Sequence, residues 1–412
     1  MSPLGRTIPR RATTRVREAL SDTRVVLVNG ARQSGKSTLV ADLSRDIGGT
    51  WYSLDRAATL EAARRDPTSF VRQANPMIID EVQRVPELFL AMKELVDADT
   101  SPGRFLLTGS ARILGLRNLP DALPGRMETI ELWPLSQGEI DAQPEGLIEA
   151  LFNGVEVRHD SEETREGYVS RIIRGGFPEA VARESNRRRR FHLSYVSDLV
   201  NRDVMQISSV ERGQQMRALI DVLAARSGQI APAQGIARDL RLAASTALNY
   251  ISLLEEVFLI KRIPAWSRNL KTRATSSPKL AFVDSGIASS LLNENETSLM
   301  RLDSHIGPLL EGFVMMEIAR QVSWADDETR LSHYRTRDQL EVDLILERQR
   351  KVIAVEIKAS ATMRNEDFRG LRHLQAKLGD DLIAGIVLYL GNQTLPFGEN
   401  LQAIPVAALW EV

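Results

Sequence analysis

The sequence predicts an α/β protein whose first part is built on a parallel sheet. Short apolar runs that suit buried strands lie at residues 24–28, 77–79 and 104–110, and helical periodicity follows the first two. Alternation of strand and helix is typical of a parallel sheet covered by helices. Residues 213–266 show mainly helical periodicity, and residues 307–412 return to an α/β pattern. We therefore expect two α/β domains joined by a helical region.

Composition limits the classes of function. The 412 residues carry 53 Lys and Arg against 54 Asp and Glu, so a nucleic-acid surface would have to be local. The chain has no cysteine, which excludes disulfides, thiolate zinc sites and cysteine nucleophiles and fits a cytoplasmic protein. No apolar run approaches the ~18 residues of a membrane helix. The arginine-rich residues 1–20 faintly resemble an organellar transit sequence, but a helix before the first strand is the favoured interpretation.

A glycine-rich segment follows the first strand. Residues 30–37 read Gly-Ala-Arg-Gln-Ser-Gly-Lys-Ser, and a helical pattern begins next to them. This is P-loop spacing, in which glycines let the backbone curl around phosphates. Lys36 would pair with the β and γ phosphates of a nucleoside triphosphate, and Ser37 would ligate Mg²⁺. The alternative is a flexible strand-to-helix turn that matches by accident. The predicted nucleotide-binding residues are Gly30, Ala31, Arg32, Gln33, Ser34, Gly35, Lys36, Ser37 and Thr38.

Two acidic residues end the next apolar strand. In "PMIIDEVQ", residues 76–83, Asp80 is expected to hold the magnesium shell. Glu81 follows it and is the expected catalytic base for the attacking water. The alternative is a turn that merely carries two acids, but the presence of a P-loop earlier in the chain makes this alternative less favoured. A magnesium-dependent phosphoryl-transfer site is therefore predicted here.

Further groups are expected near the γ-phosphate. The strand in "RFLLTGS" ends in Thr108 and Ser110, and either residue suits the sensor position of AAA+-type ATPases. Charge on the transferring phosphoryl group also needs a cation from outside the P-loop. Arg126 in "LPGRMETIELWPLS" is the first candidate and Arg112 the second, while surface solvation is the alternative for both.

These motifs together carry a family resemblance. The chain resembles the bacterial and archaeal AAA+-like ATPases that carry a C-terminal domain of unassigned function. Its markers are "IPRR", "GARQSGKSTL", "IIDEVQRVPEL", "LLTGSAR", "LPGRMETIELWPLS", "GGFPEAV" and "YVSDLVNRDV". The family usually has threonine after the P-loop lysine, where this chain has Ser37, a change that the chemistry tolerates. The resemblance covers nearly the whole chain and implies ATP binding and hydrolysis.

The middle of the chain resembles a winged-helix module, with three helical stretches followed by the strand "FLIKRI". The outward residues expected on its third helix, Thr246, Asn249 and Tyr250, carry no charge for reading base edges. DNA contact through a wing is one interpretation, and a packing module that transmits motion is the other. The basic residues that would line the wing are Lys261, Arg262, Arg268, Lys271, Arg273 and Lys279.

The last third resembles the restriction-endonuclease-like core, with a helix, three strands, a helix and a strand. In that nuclease family an Asp and a Glu ligate Mg²⁺ and a lysine orients the water, which maps here onto Asp343, Glu356 and Lys358. Glu356 and Lys358 share a strand face because they are two residues apart. Glu311 matches a further acid of that family. The competing interpretation is a degenerate nuclease fold kept as an interaction domain.

We thus expect a P-loop NTPase domain of AAA+-like type at 1–150, a helical connector at 151–212, a winged-helix module at 213–285 and an endonuclease-like domain at 286–412. The first functional hypothesis is an ATPase that acts on DNA or RNA, with a metal-dependent nuclease domain. The second is a nucleotide switch whose C-terminal part binds a partner without cleavage. Both need ATP and Mg²⁺ and no membrane, and both leave oligomerisation open.

Overall fold

A computed structural model describes residues 5, 7–110, 123–204, 213–269, 276–301 and 303–412. These residues form two compact units. Unit 1 contains residues 1–135, 177–182 and 256–258, and unit 2 contains residues 136–176, 183–255 and 259–412. Within the described ranges, no helix is both long and apolar enough to cross a membrane.

Unit 1 is a five-stranded sheet flanked by helices. Its strands are β1 (Val25–Asn29), β2 (Thr50–Ser53), β3 (Met77–Asp80), β4 (Phe105–Gly109) and β5 (Met127–Glu131). Its helices are α1 (Ala12–Asp22), α2 (Lys36–Ile47), α3 (Ala57–Arg65), α4 (Pro67–Phe70), α5 (Leu88–Ala98) and, after a stretch that belongs to unit 2, α9 (Pro178–Val181), with a 3₁₀ turn at Val82–Arg84. Helix α1 precedes the first strand, as the favoured interpretation of the N-terminus requires.

The sheet has the order β2-β3-β4-β1-β5, and all of its pairs are parallel. Side chains of successive residues of β1 point to opposite faces of the sheet. Val25 and Leu27 pack in one apolar core, and Val26 and Val28 pack in the other. Every residue of β1 is buried because helices cover both faces. The parallel α/β fold predicted for this part of the chain is therefore confirmed.

Strand order explains how distant segments meet. The strands β3, β4 and β1 are neighbours, so their carboxyl ends lie side by side at one edge of the sheet. The P-loop follows β1, Asp80 ends β3, and Thr108 lies near the end of β4. In open parallel sheets the crevice at this edge is where ligands bind.

Unit 2 contains the remaining elements. Its helices are α6 (Gln137–Asp141), α7 (Leu147–Phe152), α8 (Arg165–Arg174), α10 (Ser185–Asp198), α11 (Gly213–Ala225), α12 (Ala233–Asp239), α13 (Ala244–Glu256), α14 (Ser285–Leu291), α15 (Glu296–Leu299), α16 (Ile306–Trp324), α17 (Arg369–Leu378) and α18 (Ala408–Glu411), with a π-helix at Leu199–Val204 and 3₁₀ turns at Asn365–Phe368 and Gly379–Asp381. Its strands are β6 (Gln229–Ile230), β7 (Ile260–Ile263), β8 (Lys279–Phe282), β9 (Arg330–Arg335), β10 (Glu341–Arg348), β11 (Lys351–Lys358), β12 (Leu382–Tyr389), β13 (Leu395–Gly398) and β14 (Leu401–Pro405).

The middle of the chain contains the three helices expected between residues 213 and 257, now α11, α12 and α13. Strands β6, β8 and β7 form a three-stranded antiparallel sheet in that order. The assignment to a winged-helix fold stays a prediction, as does the division of the chain into four domains.

A second, six-stranded sheet has the order β13-β14-β12-β11-β10-β9. The pairs β9–β10 and β10–β11 are antiparallel, while β11–β12 and β12–β14 are parallel. Helix α17 connects β11 to β12 and packs Leu371, Leu374 and Leu378 on the sheet. A separate C-terminal sheet therefore exists with the expected element order, and its likeness to the restriction-endonuclease core remains a prediction.

Candidate functional site

The P-loop has the backbone conformation of a tight anion cradle. Gln33 and Gly35 have positive φ angles of 59° and 97°, and α2 begins directly at Lys36. A Cβ atom on Gly30 would lie 2.1 Å from the carbonyl oxygen of Leu132, so only glycine fits there. The loop therefore presents the amino end of α2, with its unpaired N–H groups, to the crevice.

Lys36 is folded back onto the loop. Its Nζ donates to the carbonyl oxygens of Gly30, at 3.0 Å, and Ala31, at 2.7 Å. Burial lowers the pKa of Lys36 to about 8, although Glu81 and Asp80 act in the opposite direction. The side chain is thus a buried cation whose charge the loop carbonyls and two acids offset.

Asp80 joins three segments of the site. Its Oδ1 accepts hydrogen bonds from Ser37 Oγ at 2.9 Å and from Thr108 Oγ1 at 2.6 Å, and Ser53 Oγ lies 3.4 Å from Oδ2. Asp80 is 7% exposed. A hydroxyl and a carboxylate in contact are the hard oxygen donors that Mg²⁺ prefers, so these side chains fit the ion.

Glu81 turns away from its strand. Its φ and ψ are 60° and 45°, a left-handed conformation that is uncommon outside glycine, and its N–H donates to Thr108 Oγ1 at 3.0 Å. Its carboxylate accepts hydrogen bonds from Ser110 Oγ, at 3.0 Å, and from Gln83. Gln83 also donates to Ser110 at 2.8 Å. Glu81, Gln83 and Ser110 are thus all hydrogen-bonded to one another, which fixes the position of the Glu81 carboxylate.

A pocket of about 750 Å³ opens beside these residues, entirely within unit 1. Lys36, Ser37 and Glu81 line its polar part. Its apolar part includes Ile8 and Pro9, which precede α1, and Leu135 and Pro178. A volume of this size is in the range of pockets that hold cofactors and other small ligands.

Arg10 supports the loop from outside. Its guanidinium donates to the carbonyl oxygens of Ser34, at 2.8 Å, and Trp133, at 2.6 Å. It thereby connects the P-loop to the segment after β5. The sequence placed Arg10 in the marker "IPRR" and Gln83 in "IIDEVQRVPEL" without a role for either, and no local pattern indicates which atoms they contact.

Arg126 lies elsewhere. It precedes β5, and its carbonyl oxygen accepts from the N–H of Val25 at the amino end of β1, whereas the P-loop follows the carboxyl end. Its guanidinium is ion-paired with Asp97. Within the chain, Arg126 therefore lies away from the P-loop, contrary to the expectation that it acts on the γ-phosphate. The second candidate, Arg112, lies outside the described residues.

In unit 2, the residues predicted for a nuclease site do lie together. Lys358 Nζ is 2.7 Å from Glu356 Oε1. Asp343 Oδ2 accepts from the N–H of Ile357 at 2.8 Å, and Asp343 Oδ1 accepts from Lys279 at 2.6 Å. The strands β10 and β11 thus bring Asp343, Glu356 and Lys358 together, with Lys279 as an addition.

Two further acids complete this cluster, since Glu341 and Glu311 lie 2.8 and 3.9 Å from Lys279 Nζ. Burial, and then the charge of Asp343, raises the pKa of both Glu311 and Glu356 to about 8. Burial alone would lower the pKa of Lys279, but the surrounding carboxylates outweigh it and raise the pKa.

The predicted basic wing needs correction. Lys279 is 1% exposed and bound to carboxylates, so it is not part of any phosphate-contacting surface. Arg262 is ion-paired with Glu255, and Arg268 with Asp381. Lys271 and Arg273 lie outside the described residues.

Comparison with known families gives matches to three domain models. Residues 22–141 match the model of the AAA domain. Residues 165–298 and 306–409 match two domains of unknown function, DUF8612 and DUF4143. The chain therefore contains a segment similar to AAA domains, followed by a C-terminal segment similar to DUF4143.

The similarity to known proteins extends over most of the chain. Uncharacterised proteins of Mycobacterium bovis and Mycobacterium tuberculosis are each 28% identical over 410 residues, which cover 96% of this chain and 83% of theirs. Among solved structures, the Walker-type ATPase of Pyrococcus abyssi is 14% identical with a TM-score of 0.42, covering 69% of this chain and 96% of that one. AMPPCP-bound DnaA of Aquifex aeolicus is 17% identical with a TM-score of 0.26, covering 60% and 86%.

Proposed function

We propose that the protein binds ATP with Mg²⁺ and hydrolyses it. One observation carries the proposal: Lys36, Ser37, Asp80 and Glu81 converge at the carboxyl ends of the parallel strands β1 and β3, which flank β4, beside a pocket of about 750 Å³. These are the residue types that phosphoryl transfer needs, in the order that a P-loop fold provides. The cytoplasm is the proposed location.

Each residue then has a role. The ammonium of Lys36 leaves the carbonyls of Gly30 and Ala31 and pairs with phosphate oxygens, which compensate its charge better than neutral carbonyls do. Ser37 and Asp80 would hold Mg²⁺, which supplies neutralisation of the phosphate charge. Glu81 orients the attacking water and accepts its proton, in a position that Ser110 fixes.

The remainder of the pocket accommodates the nucleoside. Ile8, Pro9 and Pro178 offer apolar surface to a flat base, while the P-loop holds the phosphates. The segment that precedes α1 and the loop at the start of α9 therefore contribute to nucleotide binding, along with the P-loop itself.

The direct test is ATP turnover by the purified full chain with Mg²⁺, measured as released phosphate. Wild type and a Lys93→Ala control, which changes a lysine on α5 away from the pocket, should turn over ATP equally. Lys36→Ala should neither bind nor hydrolyse ATP. Turnover that persists in Lys36→Ala would contradict the proposal.

We propose two alternative forms for the process that ATP hydrolysis drives. In the first, the chain acts on DNA or RNA, and Asp343, Glu356 and Lys358 cleave it with a metal ion. In the second, the chain is a nucleotide switch whose C-terminal part binds a partner and cleaves nothing. The ion pairs of Lys279 with Asp343 and Glu341 favour the second form, because they already supply positive charge to the acidic cluster.

The two forms differ in a cleavage assay. Single-stranded, duplex and branched DNA and RNA are incubated with wild type, Asp343→Asn, Lys358→Ala and Lys36→Ala in Mg²⁺ or Mn²⁺. Cleavage by wild type that is lost in Asp343→Asn and Lys358→Ala would establish the nuclease form. The switch form requires no cleavage by any of the four proteins.

Nucleic-acid binding without cleavage is tested separately, through its dependence on salt. Each lost phosphate contact should reduce the salt slope of duplex-DNA binding by about one unit. If Arg268→Gln, Lys271→Gln and Arg273→Gln leave both affinity and slope unchanged, the predicted wing is not a nucleic-acid surface.

A further inference from the structure

The ammonium of Lys279 lies at the centre of the acidic cluster in unit 2. It is 2.6 Å from Asp343, 2.8 Å from Glu341 and 3.9 Å from Glu311, and only 1% of the residue is exposed. The three carboxylates come from β10 and α16, whereas Lys279 is the first residue of β8. One buried cation therefore compensates acids from two separate elements.

The carboxylate of Asp343 is fully engaged by the protein. Lys279 Nζ donates to Oδ1, and the N–H of Ile357 donates to Oδ2 at 2.8 Å. Glu356, the other predicted metal ligand, has its Oε1 in contact with Lys358 at 2.7 Å. Each of the two expected ligands thus already has a lysine partner.

A divalent ion between these carboxylates would meet the ammonium at close range. Repulsion between like charges a few ångströms apart is strong where burial excludes water. The ion would also have to replace an ammonium that already balances the carboxylates without the cost of dehydrating a metal. In the described part of the chain, no group of three or more His, Cys, Asp or Glu side chains is arranged to hold a metal.

We propose that Lys279 is the resident cation of this cluster: its ammonium takes the place between Asp343 and Glu341 where a divalent metal would bind. The C-terminal part then works without a metal, and Lys279 connects the three-stranded sheet to the six-stranded sheet within unit 2. This inference does not depend on ATP hydrolysis, so either can fail without the other.

The proposal has a reciprocal consequence. Removal of the ammonium leaves Asp343 and Glu341 without their cation, and nearby Glu356 offers Oε2, a buried oxygen for which the described contacts include no hydrogen-bond donor. Oxygen donors of this kind suit Mn²⁺ or Mg²⁺. Lys279→Met, which keeps an unbranched side chain one atom shorter but removes its charge, should therefore turn the cluster into a metal site.

The experiment measures Mn²⁺ bound per chain by electron paramagnetic resonance, with full-length protein and no nucleotide. All proteins carry Asp80→Asn, which removes the P-loop metal ligand. We expect Asp80→Asn alone and Asp80→Asn with Asp343→Asn to bind equally little Mn²⁺. Adding Lys279→Met should increase binding by one ion per chain, and adding Asp343→Asn to that variant should remove it.

Lys351→Met is the matched control, because Lys351 is an exposed lysine on β11 that should not affect Mn²⁺ binding. Circular dichroism establishes which variants are folded. One Mn²⁺ per chain in the Asp80→Asn protein that disappears with Asp343→Asn would overturn the proposal. A folded Lys279→Met variant that gains no ion would overturn it too. If Lys279→Met does not fold, the proposal is tested by the Mn²⁺ content of the Asp80→Asn protein with and without Asp343→Asn, which should be equally low.

Discussion

The hydroxyl of Ser37 donates to Oδ1 of Asp80 across 2.9 Å, and this contact joins the start of α2 to the end of β3. Thr108, from β4, donates to the same oxygen at 2.6 Å. Three segments that are far apart in sequence thus share one carboxylate oxygen. The residues proposed to hold Mg²⁺ are therefore positioned by the fold itself.

This arrangement predicts that Asp80→Asn weakens the effect of Mg²⁺ on ATP binding. The amide keeps the shape of the side chain but removes its charge, so Mg²⁺ should lose affinity by about tenfold or more. Isothermal titration with ATP, with and without Mg²⁺, measures the change. Asp97→Asn, which alters the acid paired with Arg126, is the control and should behave as wild type. Equal Mg²⁺ dependence in Asp80→Asn and wild type would exclude Asp80 as a ligand.

Lys36 predicts a pH dependence of ATP binding. Burial lowers its pKa to about 8 in the free protein, and phosphate favours the protonated form. Below this pKa the ammonium is already present, so affinity should change little with pH. Above it, binding must take up a proton, so affinity should fall by up to about tenfold per pH unit. Titrations between pH 6.5 and 9.5 measure this slope. A pH-independent affinity would show that Lys36 stays charged throughout.

Glu81→Gln should separate binding from hydrolysis. Glutamine keeps the hydrogen bonds to Ser110 and Gln83 within reach but cannot accept the proton of water. We expect ATP affinity close to wild type and turnover reduced by about tenfold or more. Ser110→Ala, which removes a donor to the carboxylate, should reduce turnover less. Unchanged turnover in Glu81→Gln would remove Glu81 from the mechanism.

Part of the site was predictable because it depends on local sequence. A P-loop needs only a strand, eight consecutive residues and a helix, and the acids that end β3 follow directly from the apolar run before them. The sheet order that brings Ser37 to Asp80, with β4 between β1 and β3, was not predicted, because a parallel α/β pattern does not by itself determine which strands are neighbours.

Long-range pairing accounts for what the sequence did not predict. Lys279 was expected on an exposed wing, but its partner Asp343 is 64 residues away and no local pattern connects them. Arg126 was placed near the γ-phosphate because of its charge, yet it precedes β5, so the direction of the strand carries it to the opposite edge of the sheet. Contacts of this kind depend on which elements become neighbours.

Arg10 provides a final prediction, since its guanidinium donates both to the P-loop and to the segment after β5. Arg10→Ala leaves the carbonyl oxygens of Ser34 and Trp133 without this donor, and the loop becomes less ordered before ATP binds. We expect ATP affinity to fall by roughly tenfold, about the equivalent of one hydrogen bond to a charged group. Arg10→Lys should recover only part of this, because an ammonium lacks the fixed fork of donors. Arg15→Ala is the control: it removes an arginine of α1 whose ion pair with Glu128, at 3.6 Å, is partly exposed. ATP titration of all three variants measures the change in affinity. Thermal unfolding of the same variants shows whether the change in affinity comes from a loss of stability. Equal affinity in Arg10→Ala and Arg15→Ala would show that the P-loop keeps its shape without Arg10.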